Sequence, residues 1–225
     1  SGQPRARGGH GGGVIRMLVT NSVVLNGTLS ANGGTPVYAS GGGAGGAIYV
    51  QCKVFSGTGG ALLAEGANAS PNGISVGGGG GGGRVSIAYT NVTGPSTIRV
   101  SVRPGQGFSF VSPYDRRVAQ IGTAFFPTTN IIPWVWNNFH GRLVIPGFTS
   151  WAPASLTLTN TTITLPDGFN LNVAGDVLVR GSNSRLVVGT NSTVACGGDM
   201  AITNGGHLVV NSGRTNGAGA ARSAP

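Results

Sequence analysis

The segment Gly175-Asp176-Val177-Leu178-Val179 recurs 23 residues later as Gly198-Asp199-Met200-Ala201-Ile202. Each copy is a glycine and an acid followed by the first residues of a short strand-like run. Self-similarity at a fixed period indicates a stack of repeated structural units. This period suits one coil of a parallel β-helix, in which short strands are joined by tight turns. The pattern predicts that Asp176 and Asp199 lie in adjacent coils.

Short strand-like runs surround this repeat on both sides. Apolar residues occupy every second position in each run, which is the pattern of a half-buried β-strand. The runs are Leu156–Asn160, Thr162–Pro166, Phe169–Val173, Asp176–Arg180, Arg185–Gly189, Asp199–Thr203 and His207–Asn211. We therefore expect residues 152–225 to form short-period β-helix coils.

Residues 1–107 contain three longer repeats, each opening with a glycine tract. The tracts are Gly11–Gly13, Gly41–Gly46 and Gly77–Gly83, and an alternating strand follows each one. When the three strands are aligned, Ile15, Ile48 and Val85 occupy equivalent positions. Met17, Val50 and Ile87 occupy the positions two residues later, and both sets therefore lie on the same face of the strands. The tracts themselves are either flexible loops or extended, polyproline-II-like segments packed against a neighbour, because only glycine permits such close backbone contact.

Composition supports a folded, all-β chain. The 43 glycines and the low charged fraction of 8 % are unlike those of an ordinary globular enzyme, and the 39 % hydrophobic content excludes disorder. The fold predicted is a parallel β-helix with glycine-rich turns and tracts; the alternative is an antiparallel β-sandwich. Positive φ is expected at four predicted corners, which are Asn26-Gly27, Asn32-Gly33, Asn72-Gly73 and Asn204-Gly205.

Residues 108–151 interrupt both repeat patterns and hold ten of the fifteen aromatic residues. One interpretation is a junction whose rings cover the end of the first block. The other is a platform that stacks on sugars or docks a partner, since exposed rings are large and rigid. The contact residues predicted for such a platform are Trp134, Trp136, Trp151, Arg116 and Arg117.

The sequence offers little for catalysis. The five carboxylates are Glu65, Asp115, Asp167, Asp176 and Asp199, and no two lie close together along the chain. Asp176 and Asp199 each follow a glycine at a strand start, which favours turn stabilisation. No metal-binding spacing or nucleophile motif occurs, and Cys52 and Cys196 are interpreted as separate buried thiols or as a cross-link. We expect no enzyme activity, no cofactor and no metal site.

The runs GGGGGGGRVSIAY (Gly77–Tyr89), ITLPDGFNLNVAGDVLVRG (Ile163–Gly181) and CGGDMAITNGGHLVV (Cys196–Val210) carry a resemblance. They resemble the glycine-rich repeat regions of very large secreted bacterial surface proteins, typical of verrucomicrobial and planctomycete-like genomes and of autotransporter-style β-helices. The resemblance implies an extracellular or cell-surface β-helix with a structural or adhesive role. It implies no catalytic residues.

Two functions follow as expectations. The first is a self-assembling filament or sheath subunit, or a segment of a large surface fibre, with other copies of the chain as partners. The second is a polysaccharide-binding or adhesion module that uses the aromatic stretch. The formal charge of +9 makes an acidic polysaccharide a possible ligand, while no nucleic-acid-binding motif and no membrane-spanning run occurs in the sequence.

Overall fold

The computed structural model describes residues 6–70, 77–93, 97–108, 119–133 and 135–211. Their backbone forms β-strands and one short 3-10 helix, Thr129–Ile131. In chain order the strands are β1 (Val14–Leu18), β2 (Ser22–Val24), β3 (Thr28–Ser30), β4 (Ala47–Gln51), β5 (Val54–Ser56), β6 (Ala61–Leu63), β7 (Arg84–Ala88), β8 (Asn91–Val92), β9 (Arg99–Ser101), β10 (Thr123–Phe125), β11 (Val135–Asn137), β12 (His140–Val144), β13 (Ser150–Trp151), β14 (Leu156–Thr159), β15 (Thr162–Thr164), β16 (Asn170–Val173), β17 (Val177–Arg180), β18 (Arg185–Val188), β19 (Thr193–Cys196), β20 (Met200–Thr203) and β21 (His207–Val210).

The chain divides into two compact units. Unit 1 comprises Ser1–Ile132 and Asn138–Pro146, and unit 2 comprises Pro133–Asn137 and Gly147–Pro225. The predicted junction, 108–151, contributes segments to both units, and its residues 109–118 and Trp134 lie outside the described residues. The division into 1–107, 108–151 and 152–225 stays a prediction.

The strands of unit 1 pair in parallel. Five of them follow the order β1-β4-β7-β10-β12, while β3, β6 and β9 pair in sequence and β9 also pairs with β12. A separate sheet has the order β2-β5-β8. Ile15 faces Ile48, and Ile48 faces Val85, which confirms the alignment of the three glycine-led repeats. The repeats therefore lie side by side in the sheet.

Alternation of side chains along these strands forms the core of unit 1. Ile48, Val50, Val85 and Ile87 are all buried, whereas the residues between them point outward. Full burial of one such aliphatic side chain stabilises a fold by about 1.5–3 kcal/mol. Phe55, on the β2-β5-β8 sheet, is the largest fully buried side chain of this unit.

The glycine tracts of unit 1 are ordered segments that bond to one another through their backbones. Gly9 and Gly12 donate to the carbonyls of residues 41 and 44, and Gly42 and Gly45 donate to those of residues 78 and 81, at 2.8–3.0 Å. Donors thus recur every third residue, which is the repeat of a polyproline-II helix. These segments, 8–13, 41–46, 77–83 and 119–122, form what we call the first glycine layer.

A second glycine layer, residues 31–34, 64–69 and 102–106, packs against the first. Gly46 donates to the Ala31 carbonyl at 2.7 Å, and Gly83 donates to the Ala64 carbonyl at 2.8 Å. A Cβ atom on Gly82 would lie 1.9 Å from the carbonyl oxygen of Val102, and one on Gly80 would lie as close to the carbonyl oxygen of Gly43 in its own layer, both well inside van der Waals contact. The extended, closely packed interpretation of the tracts is therefore confirmed, and the flexible-loop interpretation is wrong.

The strands of unit 2 pair in parallel in three sets, of which the third belongs to the 11-stranded sheet that also contains β1, β4, β7, β10 and β12. Their orders are β11-β14-β17-β20, β13-β16-β19 and β15-β18-β21. Val177 faces Met200, which confirms the 23-residue repeat as a pairing of neighbouring strands. The core consists of inward-pointing aliphatic side chains, including Leu156, Leu171 and Leu186.

The fold class is all-β with parallel sheets. Every described pair of strands is parallel, and the antiparallel bridges are isolated ones, Arg7 with Val37 and Gly77 with Phe108. The alternative of an antiparallel β-sandwich is therefore wrong. The β-helix goes further than these pairings and is treated below as a proposal.

The predicted corners are confirmed in part. Asn204 and Gly205 have φ values of 52° and 79°, as expected of a left-handed corner. Asn26 and Asn32 instead act through their side chains, whose Oδ1 atoms accept hydrogen bonds from the backbone N–H groups of Thr58 and Glu65 at 2.9 and 2.8 Å. Asn72-Gly73 lies outside the described residues.

A pair of substitutions within one tract tests the glycine layers. Gly80→Ala should lower the free energy of unfolding by about 1–3 kcal/mol, because its Cβ would overlap the Gly43 carbonyl. Gly78→Ala should change it by less than about 0.5 kcal/mol, since nothing lies within 4 Å of that Cβ. Urea denaturation measures both values. Equal effects of the two substitutions would contradict the packing described here.

Candidate functional site

The aromatic platform predicted from the sequence is not an exposed surface at Trp136. Its side chain is only 3 % exposed and lies inside unit 2. Its ring meets Trp151 edge-on, with centroids 6.3 Å apart, and Trp151 in turn contacts Phe148. Phe148 packs on Phe169 at 4.8 Å. The prediction that Trp136 contacts a glycan is therefore wrong, because its side chain is buried.

The role of the other predicted contact residues is not tested by the structure. Trp151 is half-buried and belongs to the same aromatic cluster. Trp134, Arg116 and Arg117 lie outside the described residues. Their proposed role stays a prediction.

Positive charge is concentrated in unit 1. Ten of the fourteen basic residues fall within its segments, with two of the five acids, whereas unit 2 has four basic and three acidic residues. The formal net charge is therefore +8 for unit 1 and +1 for unit 2. A strongly basic surface attracts anionic ligands.

Three of the arginines in unit 1 lie on one sheet face. We call the outward face of β1, β4, β7, β10 and β12 the basic face. Arg84 on β7 and Arg142 on β12 both face Thr123 of β10 in the sheet register, so the three side chains form one row across the strands. Arg16 belongs to the next row along the strands. All three arginines are exposed.

Aromatic and polar side chains accompany the arginines on the basic face. The second row contains Arg16, Tyr49, Ser86 and Phe125, which are successive partners across the sheet. Tyr49 and Phe125 are half-buried, and the Tyr49 hydroxyl donates to Gln51 Oε1 at 2.9 Å. The five strands contain no acidic residue. The face can therefore offer cations, ring surfaces and hydrogen-bonding groups together.

A groove of about 470 Å³ lies where the first glycine layer meets these strands. Its walls are residues 45–47, 81–84 and 120–123, so Arg84 and Thr123 of the basic face are among its lining residues. Most of the wall is glycine backbone. The groove is a recess beside the basic face, and a molecule bound in it would lie next to backbone peptide groups.

A second cluster of polar residues in unit 1 surrounds His140, which is buried beside Ser101 of the neighbouring strand β9. The Arg103 guanidinium contacts its Nε2 atom. Since arginine can only donate, Nε2 accepts and the ring proton resides on Nδ1. Burial, reinforced by the charges of Arg103 and Arg99, lowers the pKa of His140 to about 3.

This cluster has no arrangement for nucleophilic catalysis. The Ser101 hydroxyl donates to a Glu65 carboxylate oxygen, and His140 is occupied by Arg103. The imidazole stays neutral at physiological pH, so it cannot act there as a general acid. The four side chains therefore form a structural hydrogen-bonded group between strands.

Two of the carboxylates of unit 2 accept hydrogen bonds from the backbone of the following repeat. Asp176 Oδ1 accepts from the backbone N–H of Asp199 at 2.9 Å, and Asp167 Oδ1 accepts from that of Thr190 at 2.9 Å. The prediction that Asp176 and Asp199 lie in adjacent repeats is confirmed, whereas the Asp176 carboxylate bonds to the following repeat and turn stabilisation by the two acids stays a prediction. Among the described residues, no group of three His, Cys, Asp or Glu side chains could hold a metal ion.

The two cysteines are free thiols. Cys52 is buried, and burial raises the pKa of its thiol. Cys196 is half-buried, so the prediction of two buried thiols is confirmed for Cys52 only.

Trp136 is expected to be a stability residue. Trp136→Ala should lower the free energy of unfolding of unit 2 by about 3–5 kcal/mol, because it removes a buried ring and leaves a cavity beside Trp151. The adjacent Val135, 63 % exposed, provides the control substitution Val135→Ala, which should be nearly neutral. Thermal unfolding followed by tryptophan fluorescence measures both. An unchanged midpoint in Trp136→Ala would show that the ring is not part of the core.

His140 predicts how stability depends on pH. The unfolded imidazole binds a proton below about pH 6.5, whereas the folded one does so only near pH 3. The unfolded state therefore binds more protons in between, and stability should fall as the pH decreases from 6.5, by at most about 1.4 kcal/mol per pH unit. Denaturant unfolding between pH 7 and 5 measures this slope.

The matched variants for this measurement are His140→Gln and His10→Gln. His140→Gln should reduce the slope, while His10→Gln, at an exposed position, should retain it. Equal slopes in both variants would contradict the neutral, buried state of His140.

Comparisons with known proteins leave the function to be inferred from these residues. No protein-family model matches the chain, no curated protein matches it, and no solved structure matches it. The resemblance to glycine-rich bacterial surface repeats accordingly stays a prediction from the sequence pattern. No helix within the described residues has the length and apolar character needed to cross a membrane.

Proposed function

We propose that this chain is a non-catalytic structural segment of an extracellular surface fibre, and that its parallel sheets are the faces of β-helix coils. The observation that carries the proposal is the cyclic order of the strands. In unit 2 the chain visits its three sheets in the same order in each circuit, as β13-β14-β15, then β16-β17-β18, then β19-β20-β21. Such a circuit is what one coil of a β-helix requires.

Unit 1 supports the same proposal with a larger circuit. Its strands recur as β1-β2-β3, β4-β5-β6 and β7-β8-β9, each set pairing with the next. A segment of each glycine layer accompanies every set. Each coil would then contain three strands and two glycine-rich segments, which accounts for the longer repeat of 33 to 37 residues between Ile15, Ile48 and Val85.

Bonds between successive coils favour a rigid scaffold. Besides the strand pairings, side chains bridge to the following repeat, as Asn68 Oδ1 does to the backbone N–H of Gln106 at 2.8 Å. Ser192 Oγ similarly accepts from the backbone N–H of Phe169 at 3.0 Å. Repeat proteins of this kind derive their stability from such neighbour contacts.

The extracellular location rests on the sequence resemblance, and the absence of catalysis rests on the state of the titratable side chains. The resemblance to secreted surface repeats implies the location. The Asp167, Asp176, Glu65 and His140 side chains all engage in hydrogen bonds within the fold, so none is poised for acid–base chemistry. A scaffold needs these groups only for structure.

Electron microscopy and small-angle X-ray scattering of the purified chain test the scaffold proposal. We expect an elongated particle whose length reflects stacked coils about 4.8 Å apart. A spherical particle would contradict the β-helix. Cleavage of a polysaccharide that His140→Gln abolishes would contradict the non-catalytic role.

Association with further copies or with neighbouring repeats would use the sheet edges. Parallel sheets present unpaired N–H and C=O groups at their outermost strands, which can pair with another chain. Analytical ultracentrifugation over a range of concentrations should reveal end-to-end oligomers if the chain is a filament subunit. A strictly monomeric chain would contradict the filament form of the proposal.

A further inference from the structure

We propose that the basic face, together with its groove, binds a linear polysaccharide that carries carboxylates. This function goes beyond the scaffold role, since a β-helix needs no ligand. Four independent features support it: the spacing of the arginines, the rings between them, the glycine-walled groove and the absence of acids from the five strands.

The arginines are spaced for a polymer that runs across the strands. Arg84 and Arg142 are separated by the single strand β10 in the same row. Two strand spacings place them about 10 Å apart. Arg16 lies two strands from β7 on the other side, in the next row. The three arginines are therefore spaced along the direction in which the polysaccharide would run, so that each could bind a different carboxylate of the polymer.

The arginine side chain suits a carboxylate. Its planar guanidinium can donate two parallel hydrogen bonds to the two carboxylate oxygens. The exposed side chains of Arg84 and Arg142 extend from a flat sheet that contains no competing acid. Only an anion from outside these five strands can neutralise them.

Rings and hydroxyls on the face match the remaining surface of a sugar. Tyr49 and Phe125 lie in the same row as Arg16 with Ser86 between them. The apolar faces of sugar rings can pack on such aromatic side chains, while Thr123 and Ser86 can bond to sugar hydroxyls. The face therefore complements a molecule that alternates charge, apolar surface and hydroxyl groups.

The groove is open because glycines line most of it; side chains at those positions would occupy the same volume. Gly81, in its wall, has only the Gln120 carbonyl oxygen near its missing Cβ, at 3.9 Å. The glycine backbone leaves this space open beside Arg84. A ligand chain that enters the groove would reach Arg84 and Thr123 from the side of the glycine layer.

Nucleic acid fits these features less well. Proteins that bind duplex DNA obtain much of their affinity from phosphate contacts, of the order of six to ten in a typical complex. The basic face offers three arginines, widely spaced, among half-buried rings. The sparse charge and the apolar surface of the basic face favour a polyuronate, in which each sugar ring carries one carboxylate, over the phosphate backbone of a nucleic acid.

The test is a titration of the intact chain by isothermal calorimetry with three probes. The probes are an oligogalacturonate, a neutral oligosaccharide of the same length and single-stranded oligothymidylate. We expect binding of the oligogalacturonate at low ionic strength, at least tenfold weaker binding of the neutral sugar, and a loss of affinity at high salt from screening. Oligothymidylate binding as tight as that of the oligogalacturonate would overturn the proposal.

Matched charge variants locate the site. Arg84→Gln combined with Arg142→Gln should weaken oligogalacturonate binding about tenfold or more. Arg180→Gln combined with Lys53→Gln removes the same charge from exposed positions outside the strands of this sheet and should leave the affinity within about twofold. Equal losses in both variants, or no binding of the oligogalacturonate by the unmodified chain, would overturn the proposal.

A further variant separates the rings from the charge. Tyr49→Thr keeps a strand-forming residue at a half-buried outward position, and circular dichroism would verify the fold. We expect it to weaken oligogalacturonate binding several-fold with an unchanged salt dependence. An unchanged affinity in this variant would contradict packing of a sugar ring on the face. Because calorimetry reads binding alone, these results are independent of whether the particle is elongated.

Discussion

The contact between glycine backbones is the constraint on which unit 1 depends. Two layers of extended segments approach so closely that a single methyl group at Gly42 or Gly82 would overlap a carbonyl oxygen of the other layer. The same approach allows each segment to exchange hydrogen bonds with its neighbours, so buried peptide groups are satisfied without a β-ladder. The strands that follow the tracts are thereby delivered to the sheet in register. In this part of unit 1, backbone contacts between glycine segments hold the chain together, where a β-sheet would need packed side chains.

Much of the strand arrangement could be predicted from the sequence. Alternation of apolar residues and the offset between repeats sufficed to align Ile15 with Ile48 and Val85, because a parallel register preserves sequence order. The pairing of Val177 with Met200 could be predicted in the same way from their 23-residue spacing. The glycine tracts carried no such signal. Their conformation is decided by contacts with other tracts, which a single stretch of glycines does not encode.

The candidate site was harder to predict, for two physical reasons. In the run Pro133–Trp136 both alternating positions are apolar, so parity could not tell which residues face inward; the structure places Trp136 inside and Val135 outside. Arg116 and Arg117 were predicted as contact residues because they are neighbours in the sequence. The arginines of the basic face are instead 126 residues apart along the chain at the extremes, Arg16 and Arg142, and only the strand order brings them to one face. The signal was present in the repeats, since each arginine directly precedes or follows an inward aliphatic residue.

The three-residue spacing of donors in the first glycine layer limits how the repeats can change in length. In each tract the last donor to the neighbouring segment of the same layer is Gly12, Gly45 or Gly82, two positions before the first residue of β1, β4 or β7. Inserting or deleting one residue there would turn the tract by a third of a revolution and present the wrong edge to its neighbours. A whole number of triplets restores the same edge. The layer therefore imposes a structural reading frame, and tracts of different length can coexist in one stack only if they differ upstream of it or by multiples of three.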